Sequence, residues 1–193
     1  MLFRSRGCTF FGTGGGGLPE NGIDSLMTAL NDGHEIGWVD AESIPDDAMS
    51  VCPFLMGSIA PHTEDTIKEM SSYGMTDETS VNPERDRMSK AIGELEEYTK
   101  QKFDVIVPIE LAGANASAAI AAGAQRGMVT VDGDYTGRAI PEIVQITYNY
   151  DGHKLAPIAS VDEWGNVCII KNAINPRTTE HLGKLISVAG YGL

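Results

Sequence analysis

Basic residues and long apolar segments are both scarce in this sequence. Lysine and arginine together number 14 against 27 aspartates and glutamates, which gives a formal net charge of −13. Nonspecific binding to nucleic acid or to an anionic membrane needs a basic face, so this balance disfavours both functions. No apolar run approaches the roughly 20 residues of a membrane span, and the first residues lack the apolar core of a signal peptide. We therefore expect a soluble, cytoplasmic protein.

Cysteine is also scarce, and the familiar catalytic and metal-binding patterns are missing. The three cysteines, Cys8, Cys52 and Cys168, are widely spaced and form no CxxC pair. An odd number of cysteines, without the spacing of a disulfide pair or a zinc site, favours a reducing compartment such as the cytoplasm. We interpret Cys8 as a small buried hydrophobe and the other two as strand-core residues. No GxSxG, HExxH or DxDxDG pattern is present.

Hydrophobic periodicity predicts an α/β fold over residues 1 to 142, with a largely parallel sheet and flanking helices. The clearest part is a strand at 103–111, a small-residue helix at 115–127 and a strand at 128–134. Such a strand, helix and strand form a βαβ unit, in which the two strands are parallel. The other predicted elements are strands at 8–11, 35–40 and 51–58, and helices at 23–33, 63–74 (capped by Thr63) and 83–102.

After residue 142 the pattern changes to short β-like runs and a last helix. Residues 143–172 contain three such runs, separated by two glycine-containing turns. Residues 178–190 predict a final helix that uses Thr178 or Thr179 as its cap. We expect residues 1–193 to form a single domain.

Unusual loops follow three of the predicted strands. They read, in chain order, GTGGGG, AGAN and DGDYTGRAIPE. Ligands of open parallel sheets bind outside the carboxyl ends of the strands, so we expect these loops to share one edge of the sheet. The right-handed crossover of the βαβ unit places Glu110 at the same edge as Asp132 and Asp134.

The GTGGGG loop, residues 12–17, offers bare backbone amides next to a predicted helix. It lacks the Lys-Ser/Thr of a P-loop and the last glycine of GxGxxG, so the dinucleotide fingerprint is weak. Successive amides of this kind can form a nest for an anion or a carbonyl oxygen. The alternative is a tight connection between two elements. The predicted ligand-contacting residues are Thr13, Gly14, Gly15, Gly16 and Gly17.

Carboxylates and one arginine complete the predicted site. Glu110 ends an apolar strand, where a charge must be paired, solvated in a cleft or protonated; the alternative is that it caps a loop or pairs with Arg138. Asp132 and Asp134 could share a proton, hold a divalent cation or position water. Arg138 could clamp a substrate carboxylate, or it could join a network that fixes the loop. Asn115 is well placed as a helix N-cap. The catalytic candidates are Glu110, Asp132, Asp134 and Arg138, and the further substrate-binding candidates are Asn115 and Glu142.

Taken together and in this order, the motifs resemble one protein family. The GTGGGG loop is followed by Pro19, residues 108–115 read PIELAGAN, and residues 132–142 read DGDYTGRAIPE. The MGS sequence at 56–58 with Glu64 is a fourth match. The set resembles the DUF917 group, which is described as S-methyl thiohydantoin desulfurase-like. Members are often found beside, or fused to, hydantoinase/oxoprolinase proteins.

The resemblance implies an enzyme that acts on a five-membered cyclic amide. The reaction would be hydrolysis at C2 of an S-methyl thiohydantoin, which releases methanethiol and leaves a hydantoin. Asp132, Asp134 or Glu110 would supply the base, and the glycine amides or Arg138 would stabilise negative charge on the ring. Two glycines usually stand where this chain has Ala112-Gly113. Members are longer and carry a second, β-rich domain, which we expect to be absent from this chain.

Two other functions remain open from the sequence. The chain could be a non-catalytic ligand-binding subunit, or a partner subunit of a hydantoinase/oxoprolinase system. It could also be a nucleotide-dependent enzyme whose GTGGGG loop wraps a phosphate, although the missing P-loop lysine argues against this, and we expect no nucleotide cofactor. A divalent metal and a homo-oligomer are left open. We expect a small-molecule cyclic amide as ligand, and neither nucleic acid nor membrane as partner.

Overall fold

A three-stranded parallel sheet organises the α/β part of the molecule. Strand β1 (Ser50–Val51) pairs with β2 (Val105–Ile106), which in turn pairs with β3 (Val129–Thr130). An isolated parallel bridge between Val39 and Val131 extends the sheet beyond β3. The central strand β2 is buried, as its apolar sequence predicts. The predicted parallel βαβ unit is therefore confirmed.

Seven helices and an antiparallel hairpin accompany this sheet in residues 2–58 and 60–192, which the computed structural model describes. The helices are α1 (Leu2–Gly12), α2 (Pro19–Asn31), α3 (Glu64–Ser72), α4 (Glu84–Thr99), α5 (Asn115–Arg126), α6 (Thr147–Tyr150) and α7 (Pro176–Ala189). The hairpin strands are β4 (Ile158–Val161) and β5 (Val167–Ile170). None of the helices in the described ranges is long and apolar enough to cross a membrane. The predicted fold class is confirmed, down to the C-terminal helix.

Helix α5 lies at the centre of the packing because its side chains are small. Residues 115–123 are all buried. On one side Ala118 belongs to a core cluster with Ile92 of α4, and on the other Ala121 belongs to a cluster with Leu26 of α2. A larger side chain at these alanines would push the layers apart, because protein interiors are close-packed.

The first element differs from its prediction, because residues 8–11 form part of helix α1 and the predicted strand is wrong. The helix buries Ser5 and Cys8, which lie one turn apart, and leaves Phe10 76% and Phe11 49% exposed. A run of four residues, three of them apolar, cannot by itself distinguish a strand from a piece of helix. The burial predicted for Cys8 is confirmed.

Two other predicted strands are only partly present, and a third is absent. Residues 35–40 contribute a single bridge, and only the first residue of 51–58 lies in a strand. Residues 143–150 form a single 3₁₀ turn and helix α6, so the first of the three predicted β-like runs is wrong. The reason is that Ile143 and Ile146, three residues apart, are both buried in one core cluster.

The helix caps give one confirmed prediction and one correction. The side chain of Thr63 caps α3 by accepting a hydrogen bond from the Thr66 N–H at 3.2 Å. Helix α7 is capped by Asn175, whose Oδ1 accepts from the Thr178 N–H at 2.9 Å. Capping by Thr178 or Thr179 is therefore wrong; the helix begins earlier because a proline follows the asparagine at its first position.

A buried carboxylate ties α4 to α5 and to the entry of β2. The Oε2 atom of Glu96 accepts from Arg126 at 2.5 Å and from Lys102 at 2.7 Å. Its Oε1 accepts from the Phe103 N–H at 3.2 Å. Burial alone would raise the pKa of Glu96, but the hydrogen bonds and charges of these partners hold it below its usual value. The ionised form of this glutamate is therefore the one that the fold stabilises.

The glycine loop passes so close to the segment after β2 that no side chain would fit between them. Gly16 has a φ of +72°, and a Cβ there would lie 1.9 Å from the Cβ of Ala112 and 2.8 Å from Oε1 of Glu110. The Gly16 carbonyl accepts from the N–H of Ala114 at 2.8 Å and of Asn115 at 3.0 Å. Backbone thus packs on backbone at the start of α5, which explains the need for glycine here.

We predict that Gly16→Ala lowers the free energy of unfolding by about 2–4 kcal/mol, because it combines left-handed strain with steric overlap. Gly14→Ala is the matched control, since Gly14 also has a positive φ (+93°) but nothing lies within 4 Å of its added Cβ. It should cost only about 1–2 kcal/mol. Urea unfolding measures both. Equal losses would contradict the close packing of the loop.

Candidate functional site

Three loops that are far apart in the sequence meet around one carboxylate, that of Glu110. Its Oε2 accepts a hydrogen bond at 2.7 Å from the N–H of Ile140, in the loop after β3. Its Oε1 lies against Gly16 of the glycine loop. The hydroxyl of Thr136 donates to the Ile109 carbonyl at 3.2 Å and adds a second link between the loops. The structure thus brings the three sequence motifs to the carboxyl edge of the sheet.

Glu110 is buried without a cationic partner. The residue is 3% exposed, and among the described side chains it forms no ion pair. The alternative of a pair with Arg138 is wrong: the Arg138 side chain is exposed and donates to the neighbouring Ala139 carbonyl at 2.7 Å. Hydrogen bonds from neutral donors hold the Glu110 carboxylate instead, as a buried polar group requires.

Asn115 orients Glu110 and does not cap α5. Its Nδ2 donates to Oε1 of Glu110 at 2.5 Å, and its Oδ1 accepts from the Leu55 N–H at 2.7 Å. Ala114 occupies the N-cap position. The predicted N-cap role is therefore wrong, because the amide reaches across to the segment after β1. Substrate contact by Asn115 stays a prediction.

The glycine loop, which lies against this carboxylate at Gly16, has several backbone N–H groups without an acceptor among the described residues. The Gly15 N–H bonds within the loop, but those of Gly14, Gly16 and Gly17 have no acceptor among the described residues. Successive backbone N–H groups without an acceptor can bind a carbonyl oxygen or an anion. Ligand contact by these glycines and by Thr13 stays a prediction.

Asp134 fixes the turn of its own loop. Its Oδ1 accepts from the N–H of Thr136 at 2.7 Å and of Gly137 at 2.5 Å. This arrangement is an Asx-turn, in which a side-chain oxygen takes the place of a backbone acceptor. The loop-fixing alternative therefore has direct support, and a catalytic role for Asp134 stays a prediction.

The remaining candidates have exposed side chains. The backbone N–H of Asp132 donates to the Val39 carbonyl at 2.7 Å and thereby extends the sheet edge. Glu142 lies 3.9 Å from Lys184, with about half of each side chain exposed. Arg138 is exposed as described above. The structure therefore gathers the glycine loop and Asn115 around Glu110 and leaves these three side chains at the surface.

Cys52 lies near the carboxylates of Glu110 and Asp134, and its predicted place in a strand core is wrong. It directly follows β1 and is half-buried. Burial raises the pKa of its thiol, and the charges of Glu110 and Asp134 raise it further. The thiol is therefore neutral at neutral pH, and not a reactive thiolate. Cys168 is exposed on β5, so its predicted place in a strand core is wrong.

Tyr135, in the loop after β3, lies near Cys52 and Ser50. It is part of the DGDYTGRAIPE motif, but the sequence did not mark it as a candidate. Burial raises its pKa to about 12, with a smaller contribution from Cys52, while a hydrogen bond with Ser50 acts the opposite way. Its ring meets that of Tyr148 edge to face at 6.0 Å, and Tyr148 stacks on His153 at 4.5 Å. The phenol is therefore a neutral hydrogen-bonding group.

A cavity of about 390 Å³ lies next to these residues, between the segment after β1, helix α4 and the hairpin. Cys52, Ile109 and Tyr135 are part of its lining, whereas Glu110 and Asp134 are not. In the described ranges, no group of three or more His, Cys, Asp and Glu residues is arranged to hold a metal ion. The carboxylates of Glu110 and Asp134 therefore lie next to the cavity but outside its lining.

Comparison with known proteins gives a family match and a structural match. Residues 3–172 match the family model described as S-Me-THD-like, N-terminal domain. The fold is similar to a crystal structure of a protein from Chromobacterium violaceum, determined by the Northeast Structural Genomics Consortium, with a TM-score of 0.66 and 19% sequence identity. The match covers 96% of this chain and 48% of that one, so this chain spans about half of its length. A search of curated proteins gives no match.

If Asp134 acts mainly as a loop acceptor, Asp134→Asn should preserve both amide hydrogen bonds through its remaining oxygen. We predict a change in the free energy of unfolding within about 0.5 kcal/mol for Asp134→Asn. Asp134→Ala removes the acceptor and should cost about 1–3 kcal/mol. Chemical denaturation of the two variants in parallel measures the difference. Equal destabilisation would show that the charge, and not the acceptor, fixes the loop.

Proposed function

The chain belongs to the S-Me-THD-like family, and on that premise we propose that it hydrolyses a five-membered cyclic amide at the site around Glu110. The proposed substrate is an S-methyl thiohydantoin, and the products are a hydantoin and methanethiol. The observation that carries the proposal is the burial of Glu110, which forms no ion pair among the described side chains, against a glycine loop with amides that have no acceptor there. Burying an ionisable side chain costs free energy unless hydrogen bonds compensate it, and a functional role would account for that cost.

The reaction needs a base and a set of hydrogen-bond donors. A water oxygen attacks C2 and forms the new C–O bond while the base takes its proton. The electron pair of the C=N bond moves to the ring nitrogen, which then carries negative charge. Collapse of the tetrahedral intermediate re-forms the C=N bond and breaks the C–S bond, and the departing thiolate takes the proton held by the base to give methanethiol. The proton of the new C2 hydroxyl then moves to the ring nitrogen, which leaves a hydantoin. Preorganised donors beside the ring lower the barrier by stabilising the developing charge.

We assign the role of base to Glu110. Asn115 and the Ile140 N–H fix the orientation of its carboxylate with one hydrogen bond to each oxygen. A carboxylate oxygen has further lone pairs for a water molecule. The amides of Gly14, Gly16 and Gly17 are the proposed donors to the ring. Arg138 is a candidate for clamping a carboxylate on the substrate, because its guanidinium is exposed and has donors to spare.

Two features of the residues around Glu110 argue against other mechanisms. The raised pKa of the Cys52 thiol argues against a covalent route through that sulfur. The Gly16 carbonyl occupies the Ala114 and Asn115 N–H groups at the start of α5, which a phosphate at that helix end would need. Direct attack by water on a ring amide therefore fits these residues better than nucleotide chemistry.

A second candidate function is that of a subunit that binds the ring but needs another polypeptide for turnover. The chain spans about half of the length of the structure that it matches. A hydantoinase/oxoprolinase subunit is the proposed partner. This function predicts that the isolated chain binds an S-methyl thiohydantoin without releasing methanethiol.

We predict that Glu110→Gln lowers methanethiol release from an S-methyl thiohydantoin by about 10²–10⁴-fold, the usual contribution of a general base. Glu97→Gln, an exposed change on α4, is the matched control and should leave turnover unchanged. Both are assayed with and without an added divalent metal. Unaltered turnover in folded Glu110→Gln would overturn the assignment.

Folding of these variants needs its own measurement. The new amide of Glu110→Gln places a donor against the donor of either Asn115 or Ile140, which should cost about 1–3 kcal/mol of stability. Glu110→Asp retains the charge but withdraws it from these partners. Thermal midpoints of all variants separate loss of fold from loss of chemistry.

A further inference from the structure

The cavity beside the proposed site has a mainly apolar lining. It lies between the segment after β1, helix α4 and the residues around strand β4. Its apolar lining includes Val51, Phe54, Leu55, Met88, Ile92 and Ile158. A volume of about 390 Å³ is in the range of small-molecule sites.

The charged residues of the lining are already engaged or face solvent. Arg87 donates to Glu163 at 2.9 Å and to the Asn82 carbonyl at 2.8 Å. Asp162 accepts from backbone amides of the hairpin turn. Lys154 is exposed. The interior of the cavity therefore suits an apolar group and offers little to an ion.

The cavity adjoins the proposed site at three residues of its lining. Ile109 directly precedes Glu110, Tyr135 directly follows Asp134, and all of Ile109, Tyr135 and Cys52 belong to the cavity lining. Cys52 is close enough to both carboxylates for their charges to act on its thiol. Leu55, also in the lining, donates its N–H to Asn115, which in turn holds Glu110.

From this arrangement we infer that the cavity holds a large apolar substituent at C5 of the ring ligand, such as a benzyl group. The inference rests on the proposed function and names the substrate class for it. An apolar cavity of about 150 Å³ already binds benzene, so the volume here admits a benzyl group with room to spare.

The test is the affinity of the full chain for hydantoin, 5-methylhydantoin and 5-benzylhydantoin, measured by titration calorimetry. We expect 5-benzylhydantoin to bind about tenfold or more tightly than hydantoin, because burying an aromatic ring is worth at least that much. Ala91 on α4 lines the cavity, and Ala91→Leu should reduce this advantage to about threefold or less. The affinity for unsubstituted hydantoin should stay the same.

Ala189→Leu is the matched control, because it makes the same change on α7 at an exposed position outside the cavity lining. It should leave the whole series unchanged. Ala159→Ile on β4 fills the cavity from the opposite side and replaces Ala91→Leu if that variant does not fold.

The outcomes separate this inference from the proposed function. Equal binding of all three compounds would overturn the inference and leave the proposed function standing. The same holds if 5-benzylhydantoin keeps its full advantage in folded cavity-filling variants, because its substituent would then lie elsewhere. Failure of every ring compound to bind would overturn both.

Discussion

The interaction on which the rest of this structure depends is the burial of the Glu110 carboxylate among neutral donors. The Asn115 amide and the Ile140 N–H each hold one of its oxygens, and Gly16 lies directly against it. Through these contacts the loops after β1, β2 and β3 and the glycine loop are fixed relative to one another. Burying such a polar group costs free energy unless each of its oxygens has a donor, and here each oxygen has one.

The close packing of helix α5 allows these loops to meet around Glu110. Helix α5 consists largely of alanine, so α2, α4 and the sheet can all approach its axis closely. Its first turn is completed by backbone carbonyls of the glycine loop. The loop could not make that contact if Gly16 carried a side chain. The same glycines that close the fold therefore also present unused amides next to Glu110.

Much of this arrangement follows from the sequence, and the exceptions have physical reasons. The long helix α4 and the βαβ unit were predictable because periodicity and small-residue composition act over many residues. The meeting of the motifs followed from the geometry of parallel strands. The strand predicted at 8–11 was wrong because a run of four residues is too short to show a period. Cys52, Tyr135 and the cavity were not predictable, because their surroundings are assembled from segments that are distant in sequence.

The central claim is that Glu110 and the amides of the glycine loop form one ring-binding site. The most direct measurement is a titration of the ¹⁵N-labelled chain with hydantoin, followed by amide NMR. The account predicts saturable shifts at Gly14, Gly16 and Gly17 that vanish in folded Glu110→Gln. Shifts confined to residues remote from these glycines, or shifts that persist unchanged in that variant, would contradict it.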